Sequence, residues 1–112
     1  MSTLYKSELF DLTTTSQTTI YTCPTETETI VKNIQAHNHG VGNVVIQLFV
    51  TRGATTYEVA HHTLASNDSR NLLDGTIVLE AADILKIQAD SANDVQGMMS
   101  YMEVRSDTKN PI

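Results

Sequence analysis

The run Val44-Val45-Ile46-Gln47-Leu48-Phe49-Val50-Thr51, followed by Arg52-Gly53 and the return Ala54–Leu64, decides the fold class. Alternation sets Val44, Ile46, Leu48 and Val50 on one face, the two-residue period of a strand with one side buried. Arg52-Gly53 is turn chemistry, and the returning segment carries Tyr57, Val59 and His61 on one face, so the whole reads as a β-hairpin. The same period recurs on both sides. In Ile84–Ala89, Leu85, Ile87 and Ala89 oppose Ile84, Lys86 and Gln88. In Val95–Val104, Met98, Ser100, Met102 and Val104 alternate with Met99, Tyr101 and Glu103.

Further upstream, Thr29–Asn38 reads as a long strand, with Ile30, Ile34 and Ala36 on one face and Val31, Asn33 and Gln35 on the other. Thr18–Cys23 is a strand that Pro24 ends, because proline cannot donate to a ladder. His39-Gly40-Val41-Gly42-Asn43 is a loop. Asn71–Leu73 and Thr76–Leu79 flank Asp74-Gly75, a hairpin signal. No window of twelve residues holds a 3.6-residue apolar period. The expected fold is all-β: an antiparallel two-sheet β-sandwich, jelly-roll-like, of about eight strands. It occupies residues 18–105, between an N-terminal arm at 1–17 and a polar tail at 106–112. The arm holds one apolar cluster, Leu9, Phe10 and Leu12, and is the segment expected to add a strand to a sheet edge or to a neighbour.

Composition narrows the function. With 112 residues the chain is one domain, able to bury roughly two-thirds of its unfolded surface. A net charge of −6 and dispersed Lys and Arg argue against nucleic acid. The longest apolar runs, Val44–Ile46 and Leu48–Val50, are too short to span a bilayer as a helix. The opening Met-Ser-Thr-Leu-Tyr-Lys-Ser-Glu has no apolar core of a secretion signal, so synthesis in a host cytoplasm is expected. Cys23 is the one cysteine, so it forms no disulfide within the chain and reads as a buried apolar residue.

The residues that could carry chemistry read mostly as structural. His37 and His39, two apart, would project from one face of a strand, with His61 or His62 as a third donor, but the spacing of zinc motifs is absent. No Gly-x-Ser-x-Gly elbow marks a nucleophile. Glu26 with Glu28, and Asp90 with Asp94, read as solvated turn acids. No cofactor, metal or catalytic residue is expected. Met98, Met99 and Met102 are adaptable side chains of the kind used at binding faces. The residues expected to touch a partner are Leu9, Phe10, Leu12, Met99 and Tyr101.

Three passages carry a resemblance: Thr19-Ile20-Tyr21-Thr22-Cys23-Pro24-Thr25-Glu26-Thr27-Glu28-Thr29-Ile30-Val31-Lys32-Asn33-Ile34, then Ile77-Val78-Leu79-Glu80-Ala81-Ala82-Asp83-Ile84-Leu85-Lys86-Ile87, then the strand Met98–Val104. Their order of strands, small-residue turns and Asp-led strand resembles small β-sandwich structural proteins of tailed bacteriophages. The chain departs from that pattern at Ala82, where glycine is common. The resemblance implies a virion structural protein, foremost a capsid cement or decoration protein. Such a protein would be a homo-trimer binding the major capsid protein, and not an enzyme. A neck, tail, baseplate or fibre-attachment role is the first alternative. A carbohydrate-binding or cupin-like metal-binding domain using His37, His39, His61 and His62 is the second.

Overall fold

A computed structural model describes residues 2–105. Nine strands form two antiparallel sheets: β1 (Ser2–Leu12), β2 (Thr18–Thr22), β3 (Thr27–Asn38), β4 (Val44–Arg52), β5 (Thr55–Leu64), β6 (Ser69–Asn71), β7 (Ile77–Leu79), β8 (Ile84–Ala89) and β9 (Val95–Arg105). The first sheet runs β1-β9-β3-β6, with β7 also on β3; the second runs β2-β8-β4-β5. This pair of strand orders is that of a jelly roll. The all-β sandwich expected from the alternation is what the chain forms. The tail 106–112 lies outside the described residues.

Ser2–Leu12 is a strand of the sandwich. It pairs residue for residue with β9, from Ser2 opposite Arg105 to Leu12 opposite Val95. Leu12 lies in the core. The sandwich therefore begins at Ser2, not at residue 18. Of the two roles open to the arm, it fills the sheet edge of its own subunit.

The core lies between the sheets. Val31, Ile34, Met99 and Tyr101 face Ile46, Leu48, Leu85 and Ile87 within one buried cluster. Each such side chain, fully buried, is worth about 1.5–3 kcal/mol. The faces read for β4, β8 and β9 hold, with Val44, Ile46, Leu48 and Val50 of β4 inward as expected; in β9 the Met99–Tyr101–Glu103 set is the one that faces in. Gly97 is required by close packing: a Cβ there would lie 2.2 Å from the Gln35 carbonyl oxygen and 2.4 Å from the Phe10 ring.

Two β-bulges shift the expected faces. In β3 the register slips between Val31 and Asn33, at Lys32. Val31 thereby joins Ile34 and Ala36 inside, while Ile30 turns outward with Asn33 and Gln35, because one extra residue exchanges faces. In the β4–β5 pair Leu48 meets Ala60 and Phe49 meets Glu58, leaving Val59 as the extra residue. Tyr57 and His61 consequently fall on opposite sides. Arg52-Gly53 forms the turn, with Gly53 at φ +64°.

The expected hairpin at Asp74-Gly75 is absent. β6 and β7 pair with β3 at successive positions and not with each other. Between them Leu72 and Leu73 turn into the core, and the Asn71 side-chain oxygen accepts from the Ile34 and Leu73 amides, replacing ladder bonds at the break.

Candidate interaction surface

The register of the five-stranded sheet brings apolar side chains into rows on its outer face. Tyr5 is opposite Met102, Met102 opposite Ile30, and Ile30 opposite Val78, a row across four strands. A second row sets Leu9 opposite Met98, with Gln35 beyond it. Between them lies the small polar row Ser7, Ser100 and Asn33. Tyr5 is 80% exposed, Leu9 77%, Val78 55% and Met98 42%. Cross-strand neighbours of this kind touch, so the rows form bands rather than isolated spots. The Lys32 bulge is what puts Ile30 into the first row.

At Val78 the band meets a groove of about 520 Å³ between β5 and β7, lined by Val50, Tyr57, Val59, Ile77, Val78 and Leu79. Arg52 and Glu58 stand at its rim. Tyr57 and Val59 are exposed here because the edge strand β5 splays away at its bulge.

Behind the apolar face lies a buried polar cluster that holds β1 in place. Glu103 points inward from β9 and is 2% exposed. The Tyr21 hydroxyl donates to its Oε2 at 2.5 Å and stands 2.7 Å from the Thr29 hydroxyl. Since the single Tyr21 proton goes to Glu103, Thr29 is the donor in the second bond. Lys6 of β1 and Arg105 both reach Glu103 Oε1 at 3.3 Å. Beside them the Tyr101 hydroxyl donates to Glu8 of β1 at 2.9 Å, and the Tyr21 and Tyr101 rings pack 4.6 Å apart. β1 thus turns two charged residues inward and finds a partner for each, a device that also guards an edge strand against indiscriminate pairing.

Burial is the largest single influence on Glu103 and pushes its carboxyl up. The bonds from Tyr21, Lys6 and Arg105 together outweigh it and hold the group below its ordinary 4.5. Burial, and then the bond to Glu103, pushes the Tyr21 phenol well above its usual range; burial and Glu8 do the same to Tyr101. The Cys23 thiol is also raised by burial, and it lies 3.4 Å from the Thr27 carbonyl oxygen. At the turn before β8, buried Asp83 accepts two bonds from Arg52, at 2.9 and 2.6 Å, and a third from the Glu80 amide at 2.8 Å. The Arg52 bonds are the chief reason its carboxyl lies below 3.8. Ala82 beside it has φ +73°, so the turn keeps the left-handed conformation that glycine adopts freely.

Of the five residues expected to touch a partner, Leu9 stands out in solvent. Met99 (0% exposed), Tyr101 (3%) and Leu12 (1%) are core, because the inner phase of β9 and the last residue of β1 face the opposite sheet. Phe10 packs partly buried against that core, over Gly97. The outward methionines are Met98 and Met102. The histidines do not converge. His37 Nδ1 is 2.5 Å from Ser69 Oγ, His61 bonds Glu58, and His62 bonds the Leu72 carbonyl oxygen. Among the described residues no group of three or more His, Cys, Asp or Glu is placed to hold a metal ion. The Glu103 cluster was not foreseen. Its signal is an acidic residue in phase with the buried Met99 and Tyr101.

No family model and no curated protein matches the chain. Among solved structures it is similar to a chain of the Bacillus endospore appendages, which form disulfide-linked pili: TM-score 0.62, 15% identity, 93% of this chain and 88% of that one. It is similar to a chain of the T13 viral particle of IBDV, with TM-score 0.56, 10% identity, 90% of this chain and 30% of that one. A pentameric capsid protein from metagenomic phage sequences aligns with TM-score 0.49 and 23% identity, over 91% of this chain and 64% of that one. The chain thus spans less than a third of the IBDV chain. At 0.62 and 0.56 the likeness is one of fold, a β-sandwich found in both a pilus and a viral capsid protein.

Proposed function

We propose that this chain is a virion structural protein of the cement or decoration kind. It binds neighbouring capsid subunits and stabilises the shell without a catalytic step. The observation that carries the reading is the Tyr5–Met102–Ile30–Val78 row, which crosses four strands on the outside of an acidic subunit. Exposed apolar bands of this extent are the signature of a protein–protein contact. Weak contacts repeated over a shell multiply into firm attachment. The carboxyls with displaced pKa, Glu103 and Asp83, are bound up in pairs with Tyr21, Lys6 and Arg52, which supports a structural use of them.

A filament subunit is the reading that the appendage likeness brings to mind. Cys23 argues against its disulfide-linked form, since the one thiol of this chain is buried between the sheets. The test is co-sedimentation of the purified protein with shells of the major capsid protein from the same virus, followed by melting of the shells. Binding at fixed stoichiometry with a raised shell melting temperature is expected. Protein left in the supernatant would remove the cement role.

A further inference from the structure

The five-stranded sheet's outer face fits one occupant best. Two copies of a chain of charge −6 repel each other wherever acidic surfaces meet. This face avoids that. Its outward strand positions carry acids only at the two ends, Asp11 in one terminal row and Glu28 in the other, and between them the charged residue is Lys32 at the β3 bulge. An acidic partner, a second copy included, therefore meets no carboxylate at the centre, whereas a strongly basic partner would meet the like charge of Lys32.

Size agrees. Two strands of eleven residues, one of twelve and two of three, at about 4.8 by 3.4 Å per residue, give a footprint of about 650 Å² per copy. Stable specific interfaces take about 600–1,000 Å² per partner. The pattern is also self-complementary. The apolar rows lie on either side of the Ser7–Ser100–Asn33 row, so a two-fold axis in the plane of contact that runs across the strands sets the Leu9–Met98 pair of one copy on the Tyr5–Met102 pair of the other. We propose that two copies of the chain pack back to back through this face, with Tyr5, Leu9, Met98 and Met102 at the contact. The pairing rests on the reading of the chain as an assembly subunit. It takes the place of the trimer expected from sequence, because apolar pairs on either side of a polar row are matched by the face's own two-fold image.

The test is sedimentation equilibrium over a range of concentrations, with a thermal melt for each variant. Three proteins are compared: wild type, Leu9→Glu/Met98→Glu on the proposed face, and Thr63→Glu on the outside of the other sheet. All three positions are exposed, so the folds are expected to survive; Tyr5→Glu is a second probe should the double variant fail to melt cooperatively. Wild type and Thr63→Glu should pair with a dissociation constant of about 10 µM, and charge on the proposed face should raise it about 100-fold or more. Wild type monomeric at millimolar concentration would overturn the proposal. So would a dimer that Leu9→Glu/Met98→Glu leaves unchanged, or one that Thr63→Glu abolishes. A dimer that ignores capsid shells sustains the pairing and removes the cement role; a monomer that binds shells does the reverse.

Discussion

The two outer faces of this sandwich carry different kinds of residue and end in opposite states. On the four-stranded sheet, polar side chains pair with one another across strands. Gln47 donates to Glu58 at 2.9 Å, the Thr51 and Thr56 hydroxyls meet at 2.7 Å, His61 bonds Glu58, and Gln88 donates to the Thr15 carbonyl oxygen. Even the one large aromatic there, Phe49, is 9% exposed, opposite Lys86 and Glu58, whose stems are long enough to cover it. On the five-stranded sheet the cross-strand pairs are Tyr5 with Met102, Ile30 with Val78 and Leu9 with Met98. Exposed large apolar residues occur on this outer face and none on the other. One face satisfies itself, and the other is complete only when covered.

Removing the edge of the apolar face should have the largest effect. Deleting residues 2–12 takes away Leu12, the Lys6 counter-charge and the cover over β9. A loss of about 4 kcal/mol or more is expected, seen as loss of a cooperative urea transition, because a core leucine alone is worth about 2–5 kcal/mol. A truncated chain with an unchanged transition would show that β1 is an accessory after all.

A smaller change separates the fold from the face. Tyr21→Phe removes the hydroxyl donated to Glu103 and leaves the outer rows untouched. It should lower stability by about 2 kcal/mol in denaturant titration, the cost of an unmet buried charged acceptor. Its self-association should stay that of wild type.

Acid should act on the same cluster. Glu103 and Asp83 have folded pKa values below their ordinary 4.5 and 3.8, so their stabilisation is complete above those values. It drains away as pH falls through the lower, folded values. Unfolding free energy measured from pH 7 downward should therefore decline below pH 4.5, and less steeply in Tyr21→Phe, where Glu103 has lost one of the bonds that hold its pKa down. A curve that rises on acidification would reverse the assignment.

The smallest expected effect is a gain. Ala82→Gly relieves a left-handed residue and should stabilise by about 0.5 kcal/mol, since the strain relieved slightly exceeds glycine's extra freedom in the unfolded chain. An equal loss would mean that the turn gains more from the Ala82 methyl than from relaxed backbone.

The sequence made the sandwich legible where alternation is strict. β4, β8 and β9 keep a two-residue period, so the residues that share each face could be read directly. Ala82, singled out in the sequence beside Asp83, takes a left-handed backbone conformation at φ +73°. Alternation failed where the chain gains a residue: the bulges at Lys32 and Val59 have no local signature, and the first decides that Ile30 is outside. It failed at β1 for a different reason. The inner face of that strand carries Lys6 and Glu8, which look like solvent residues until Glu103 and Tyr101, nearly a hundred positions away, are seen opposite them. The interaction face suffered accordingly. Leu9 could be picked out, but Met99 and Tyr101 were chosen from the wrong phase of β9, because which phase is core depends on the sheet behind it.

That alternation lets one strand report on both of its sides. Met98 and Met99 are consecutive on one strand, one facing out and one in the core, and each reports on its own side. Peroxide footprinting with mass spectrometry, at low and high protein concentration, reads both at once. Met98 should oxidise readily in dilute protein and be protected several-fold in concentrated protein, with Met99 slow throughout. Met98 oxidising at the same rate at both concentrations would contradict the claim that this face is covered by a second copy.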